Sequence, residues 1–272
     1  MIDRVHHVGV VVRDADAALG FYRDIMRLPV TVDRVVEEQG VRGVLLALGE
    51  NEIELLQPTR DDTGVYRFLE SRGETLHHIC FNTDDIVGEL ARLKGQDIQL
   101  IDEAPREGLA GQVAFVHPSA VHGVLIELAQ PPANAHTSRE KGFDHLAVTV
   151  ADFEVAARTW QDIVGLSVVN EIRPDGAGMV IGQMPSGQCM VELLAPTSAD
   201  SAMAKRVAEQ GERAISMVAI EVKDIEAEIA RYRAAGLQVP DATPGALPGS
   251  VRTSVPAEQA FGLSVQLIQF SG

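Results

Sequence analysis

The sequence contains no apolar run approaching the roughly 20 residues that a bilayer-spanning helix needs. Its start, MIDRVHHVGV, lacks the charged segment and long apolar stretch of a secretory leader, so none is expected. Cysteine is scarce: Cys80 and Cys189 are the only two, each inside a strand-like apolar run. Thiols so placed read as buried groups of a reducing compartment. Positive charge is also short. Lys and Arg number 23 against 39 Asp and Glu, a net charge of −16, and no basic cluster is large enough to offset it. Such a surface repels nucleic acid. These absences predict a cytoplasmic protein with no role at nucleic acid or membrane.

What the chain does contain is repetition. At 272 residues it is long for one core and natural for two domains, and 46% hydrophobic content is enough to fill both. The stretch LHHICFNTDD (Leu76–Asp85) places a histidine pair at the head of a strand-like run that ends in an acidic turn. HHVGVVVRDAD, from His6 on, has the same plan. Each copy is followed by a strand with one glutamate among aliphatics, IELLQP around Glu54 and VLIELAQP around Glu127.

The first copy reads as a strand over Val8–Val12 and a helix over Ala15–Arg27 capped by Asp14 or Asp16. Strands over Val30–Val36, Gly43–Leu48 and Glu52–Gln57 follow. After a helical stretch at Val65–Ser71, the second copy gives a strand at Ile79–Asn82, a helix at Ile86–Lys94 and strands at Ile98–Ile101, Gln112–Phe115 and Val124–Ala129. PREGLAG (Pro105–Gly111) reads as a mobile loop. The polar, proline-bearing segment Pro131–Gly142 reads as a linker. Beyond it FDHLAVTVADFEVAARTW repeats the beginning, with His145 answering His7 and Glu192 answering Glu54, both at an offset of 138 residues. The expected fold is α+β: four βαβββ units in tandem, forming modules over 1–131 and 143–272 joined by 132–142.

Side chains alternate across a strand, so each histidine pair aims only one ring at a given face. His77 shares its face with the apolar Ile79 and Phe81, which leaves His78, and by register His7, on the other side. Glu54 and Glu127 obey the same rule, because aliphatic neighbours take the packing face. Four metal-type side chains, His7, Glu54, His78 and Glu127, therefore share the concave side of one sheet. Two imidazoles and two carboxylates suit a divalent ion such as Co²⁺, Ni²⁺, Mn²⁺ or Zn²⁺, and six-coordination would leave two positions for water or substrate oxygens. His6 and His77 read as structural or supporting residues.

These residues resemble the vicinal oxygen chelate superfamily, and within it methylmalonyl-CoA epimerase. The resemblance covers Val5–Gln130 and is carried by HHVGVVV, ALGFYRD, EEQGV, IELLQP, FLESRGETLHHICFNTDDI, IDEAPREGLAGQVAFVHP and GVLIELAQ. It implies that His7, Glu54, His78 and Glu127 hold the metal, and that the reaction is proton transfer at the carbon next to a thioester carbonyl. It also implies an acyl-CoA substrate and either an internal pseudo-dimer or a homodimer. Glu127 is the first choice for proton transfer, and Glu54 the second.

Three departures bear on substrate and partner. Gly43 stands where some epimerases carry an opposed carboxylate base, and Ser119 where a lysine is common. The second half resembles only the superfamily: it answers His78 and Glu127 with Met217 and Gln266, so a metal-free partner module is expected there. The rival readings are a glyoxalase-type lyase using the same metal set, and a metal-free, resistance-type binding protein. An extradiol dioxygenase fits less well, because a fourth protein ligand leaves too few open positions for catechol and O₂.

Overall fold

A computed structural model describes residues 1–271, the side chains at 215 and 216 apart. The first half runs β1 (Ile2–Val11), α1 (Ala15–Leu19), β2 (Val30–Val36), β3 (Val41–Leu48), β4 (Asn51–Pro58) and α2 (Gly64–Arg72). It continues with β5 (Thr75–Thr83), α3 (Ile86–Gly95), β6 (Arg106–Gly108), β7 (Gly111–Val116) and β8 (Ile126–Gln130). The second half repeats this order as β9 (Phe143–Thr149), α4 (Phe153–Val164), β10 (Asn170–Ile172), β11 (Met179–Ser186), β12 (Cys189–Pro196) and α5 (Ala202–Gln210). It closes with β13 (Arg213–Glu221), α6 (Ile225–Ala234), β14 (Thr243–Pro244), β15 (Ser250–Val255) and β16 (Ser264–Phe270). No helix among the described residues is long and apolar enough to cross a membrane.

Each half forms one curved, mixed, eight-stranded sheet, in the orders β2-β3-β4-β1-β5-β8-β7-β6 and β10-β11-β12-β9-β13-β16-β15-β14. The orders are the same once the second is renumbered, so the fold is the expected set of four βαβββ units in two modules. The caps repeat with the strands. Asp14, Thr63 and Asp85 accept backbone N–H groups at the starts of α1, α2 and α3, and Asp152, Ser201 and Asp224 do so for α4, α5 and α6.

Three local expectations fail. Ile98–Ile101 is not a strand: the Ile98 N–H closes the end of α3 on the Leu93 carbonyl, and Leu100 alone makes a bridge, to Val116. The outer strand is β6, inside the segment expected to be a mobile loop. It pairs antiparallel with β7 through a hairpin that needs Gly111 at φ +105, where a Cβ would lie 2.4 Å from the Gln130 carbonyl. Leu109 and Ala110 are buried in that hairpin, which is why the segment is folded. The first helix also stops earlier than expected, α1 passing into a wider π turn over Gly20–Ile25.

The chain separates into two compact units, and each draws on both halves of the sequence. One comprises Met1–His7, His78–Thr137 and His145–Ile215. Within it Phe81 of β5 meets Trp160 of α4 edge to face, centroids 6.3 Å apart. The Arg92 guanidinium of α3 donates to the Asp162 and Ile163 carbonyls at 2.8 and 2.7 Å, capping the end of α4. The other comprises Val8–His77, Ser138–Asp144 and Ser216–Gly272. There Arg231 of α6 donates to the Ile25 carbonyl, the counterpart of the Arg92 interaction. The buried Tyr22 hydroxyl, at the position answering Trp160, donates to the Ala260 carbonyl at 2.7 Å.

Tyr22→Phe keeps the ring and strands that carbonyl. The loss is expected to destabilise the protein by about 1–2 kcal/mol, read as a lower urea midpoint at unchanged slope. An unchanged midpoint would show that the hydroxyl contributes nothing.

Candidate metal centre

The alternation of each strand delivers one ring or carboxylate to the concave side. On β1 that residue is His7, fully buried, and on β5 it is His78, 2% exposed. Glu127 of β8 lies opposite Cys80 of β5 in register, two residues along the strand from His78. Glu54 of β4 sits between the fully buried Ile53 and Leu55 and faces Leu45 across the strand pair.

Three of these side chains meet closely. His78 Nε2 lies 2.8 Å and His7 Nε2 3.3 Å from the same Glu127 oxygen, and the two Nε2 atoms are 3.0 Å apart. With Glu54 included, each of the four offers a ligand atom within 4.8 Å of all the others. All four predicted residues are therefore brought together, and all four are buried.

The donor set fits a divalent cation on charge as well as on position. Two carboxylates at 4–5% exposure are costly to ionise without a compensating charge. Burial alone would raise the Glu127 carboxyl, but the facing imidazoles of His78 and His7 outweigh it and hold the group well below the usual carboxylate range. The Nε2 atoms of His7 and His78, only 3.0 Å apart, can share at most one proton. A cation in their place would let both donate lone pairs. That is an N₂O₂ set of the kind borderline divalent ions take.

The second half is equipped differently. Glu192 Oε1 accepts from Gln183 Nε2 at 2.8 Å, and Gln183 Oε1 in turn accepts from Asn170 Nδ2 at 2.9 Å. Gln266 Oε1 accepts from Arg252 at 3.0 Å. Among the described residues, no metal-type group of three or more side chains lies in this half. Of the two supporting histidines, His77 sets its ring edge-on to Phe68, centroids 4.7 Å apart, and His6 meets His7 directly.

Two neighbours of the centre escaped the sequence reading. Phe115 of β7 lies opposite Glu127 and sets its ring edge-on to His78, centroids 5.5 Å apart. Arg106 of β6 places its guanidinium 5.3 Å from the Phe115 centroid and is held by Asp102 at 3.1 Å. The alternation of GQVAFV could have marked Phe115, but Arg106 was hidden by the misreading of β6 as a loop.

Comparison with known proteins agrees with this architecture. The sequence profile of the Glyoxalase/Bleomycin resistance protein/Dioxygenase superfamily matches residues 6–116 and again 144–251. Mitochondrial methylmalonyl-CoA epimerase of Mus musculus is 34% identical over 131 residues, 47% of this chain and 74% of that protein. Ethylmalonyl-CoA/methylmalonyl-CoA epimerase of Cereibacter sphaeroides is 33% identical over 133 residues, 48% of this chain and 99% of its own. A mutant of 4-hydroxymandelate synthase from Streptomyces coelicolor superposes with TM-score 0.75, covering 100% of this chain and 94% of that one at 18% identity, a likeness of fold.

Proposed function

The chain belongs to the Glyoxalase/Bleomycin resistance protein/Dioxygenase superfamily, and from that premise we propose that its first half is a metal-dependent epimerase or isomerase. The reaction is proton transfer at the carbon next to a thioester carbonyl, and the substrate is an acyl-CoA of the methylmalonyl type. The convergence of His7, Glu54, His78 and Glu127 carries this reading, and the likeness of the first half to the epimerases supports it.

When bound by these four residues, a divalent ion supplies a Lewis acid for the carbonyl oxygen, lowering the barrier to enolate formation. The remaining work belongs to the side chains. Glu127 is held ionised by the imidazoles of the metal-free site and would be kept so by the charge of a bound ion, so its carboxylate is in the form that accepts a proton from the α-carbon. Phe115 walls the centre beside His78 and keeps water from that side. Arg106, held by Asp102, lies against the Phe115 ring and supports that wall.

Gly43 favours a second reading. With no carboxylate at that position, and with the neighbouring Arg42 committed to Asp33 and Asp16 at 2.9 Å each, an opposed base is missing there. A one-base isomerase or glyoxalase-type lyase on another enolisable substrate would need no such group. Incubation with candidate acyl-CoAs in D₂O separates the two: deuterium uptake with inversion supports the epimerase, and uptake without inversion supports the one-base enzyme. Absence of exchange with every enolisable substrate would refute both.

Metal analysis tests the centre itself. One divalent ion per chain is expected in the intact protein, falling towards zero in His78→Ala. A content near two per chain, or one unchanged by the substitution, would refute the assignment.

A further inference from the structure

His6 is buried, 6% exposed, and sits next in sequence to a proposed ligand. Its Nδ1 lies 2.8 Å from the Nδ1 of His7, with the rings edge to face at 81°. At that distance one proton lies between the two nitrogens, since two protons would clash and two lone pairs would repel. Which ring carries it follows from the other side of His7. His7 Nε2 points at Glu127 and His78 Nε2, so it is the atom that offers a lone pair to an ion. A neutral imidazole that donates from Nε2 keeps its hydrogen on Nδ1. With an ion on Nε2, His7 Nδ1–H is therefore the donor and His6 Nδ1 the acceptor.

We infer that His6 is a positioning residue, which fixes the tautomer and ring orientation of His7 for cation binding through one Nδ1–H···Nδ1 hydrogen bond. The inference rests on the metal reading above and adds a requirement to it: the centre needs a ring-to-ring acceptor where ligating histidines more often use a carboxylate or carbonyl. The rest of the chain supports a local, specific role. His77, the first member of the other histidine pair, packs on Phe68. Asp144, which answers His6 in the second half, is engaged by Lys141 at 2.6 Å.

The test compares His6→Leu, which removes the acceptor, with His6→Asn, whose side-chain carbonyl can stand where Nδ1 stands. Co²⁺ affinity is measured by titration of each metal-free protein, and nitrogen-15 shifts of the imidazoles report the His7 tautomer with and without diamagnetic Zn²⁺. Losing such a supporting hydrogen bond typically weakens metal binding 10–100-fold. That loss is expected for His6→Leu, with most of it restored in His6→Asn, and with His7 protonated at Nδ1 in the Zn²⁺-loaded parent. Melting of the metal-free variants identifies any that are misfolded, and in that event the tautomer in the parent decides alone.

Equal Co²⁺ affinity in parent and His6→Leu, or a His7 proton on Nδ1 missing from the Zn²⁺-loaded parent, overturns the role of His6 while leaving the metal centre standing. Failure of the parent to bind Co²⁺ overturns the metal reading, and this role with it.

Discussion

Glu127→Gln, saturated with metal, is expected to lose α-proton exchange with solvent by a factor of about 10²–10⁴, the usual worth of a positioned general base. The amide oxygen can still act as a weak ligand, but it cannot take up the substrate's proton at neutral pH. Glu54→Gln is expected to retain much of the exchange, because Glu54 is assigned mainly to completing the ligand set. The pair makes a controlled comparison, since each change removes one negative charge from the same centre. Metal occupancy and deuterium exchange would be measured together in both variants. If fully metallated Glu127→Gln exchanges near the parent rate, Glu127 is a ligand only. A bound ion that keeps Glu127 ionised would also weaken it as a base, so on this scheme the carbon acid must be activated as well.

Expression of residues 1–131 alone is expected to give an unstable or self-associating product. Each compact unit includes segments from beyond the linker, and truncation there removes apolar partners as well as polar ones. Phe81 would be without Trp160, Tyr22 without its acceptor Ala260, and Arg92 without both its carbonyl partners. Exposing one such aromatic side chain costs about 1.5–3 kcal/mol, against a total stability of about 5–15 kcal/mol. Two or three such exposures would consume most of it. Light scattering and urea unfolding of the fragment decide the matter: a stable, active monomer would refute the expectation, while a homodimer would show one half standing in for the other.

The periodic features of the molecule were legible in the sequence. Four units, a cap at Asp14 or Asp16 (Asp14 in the structure) and the shared face of His7, Glu54, His78 and Glu127 all follow from local spacing and strand alternation. Features set by a competing neighbour were not. Ile98–Ile101 has the apolar look of a strand, but Ile98 is recruited to close α3, and the ladder forms later at Arg106–Gly108. The meeting of His6 and His7 depends on side-chain torsions that no pattern encodes. The Arg106–Phe115 pair needs the register of a hairpin whose existence was missed.

The mixed make-up of the compact units also bears on how the chain can be made. During synthesis from the N-terminus, the segment Val8–His77 emerges long before its companions from Ser216 onward. Tyr22 waits 238 residues for Ala260. At a synthesis rate of about 5–20 residues per second, that is a delay of roughly 10–50 s. Throughout it the apolar surface of the first sheet lacks its final cover. Products truncated before Ser216 are therefore expected to aggregate, which sedimentation of such fragments would show.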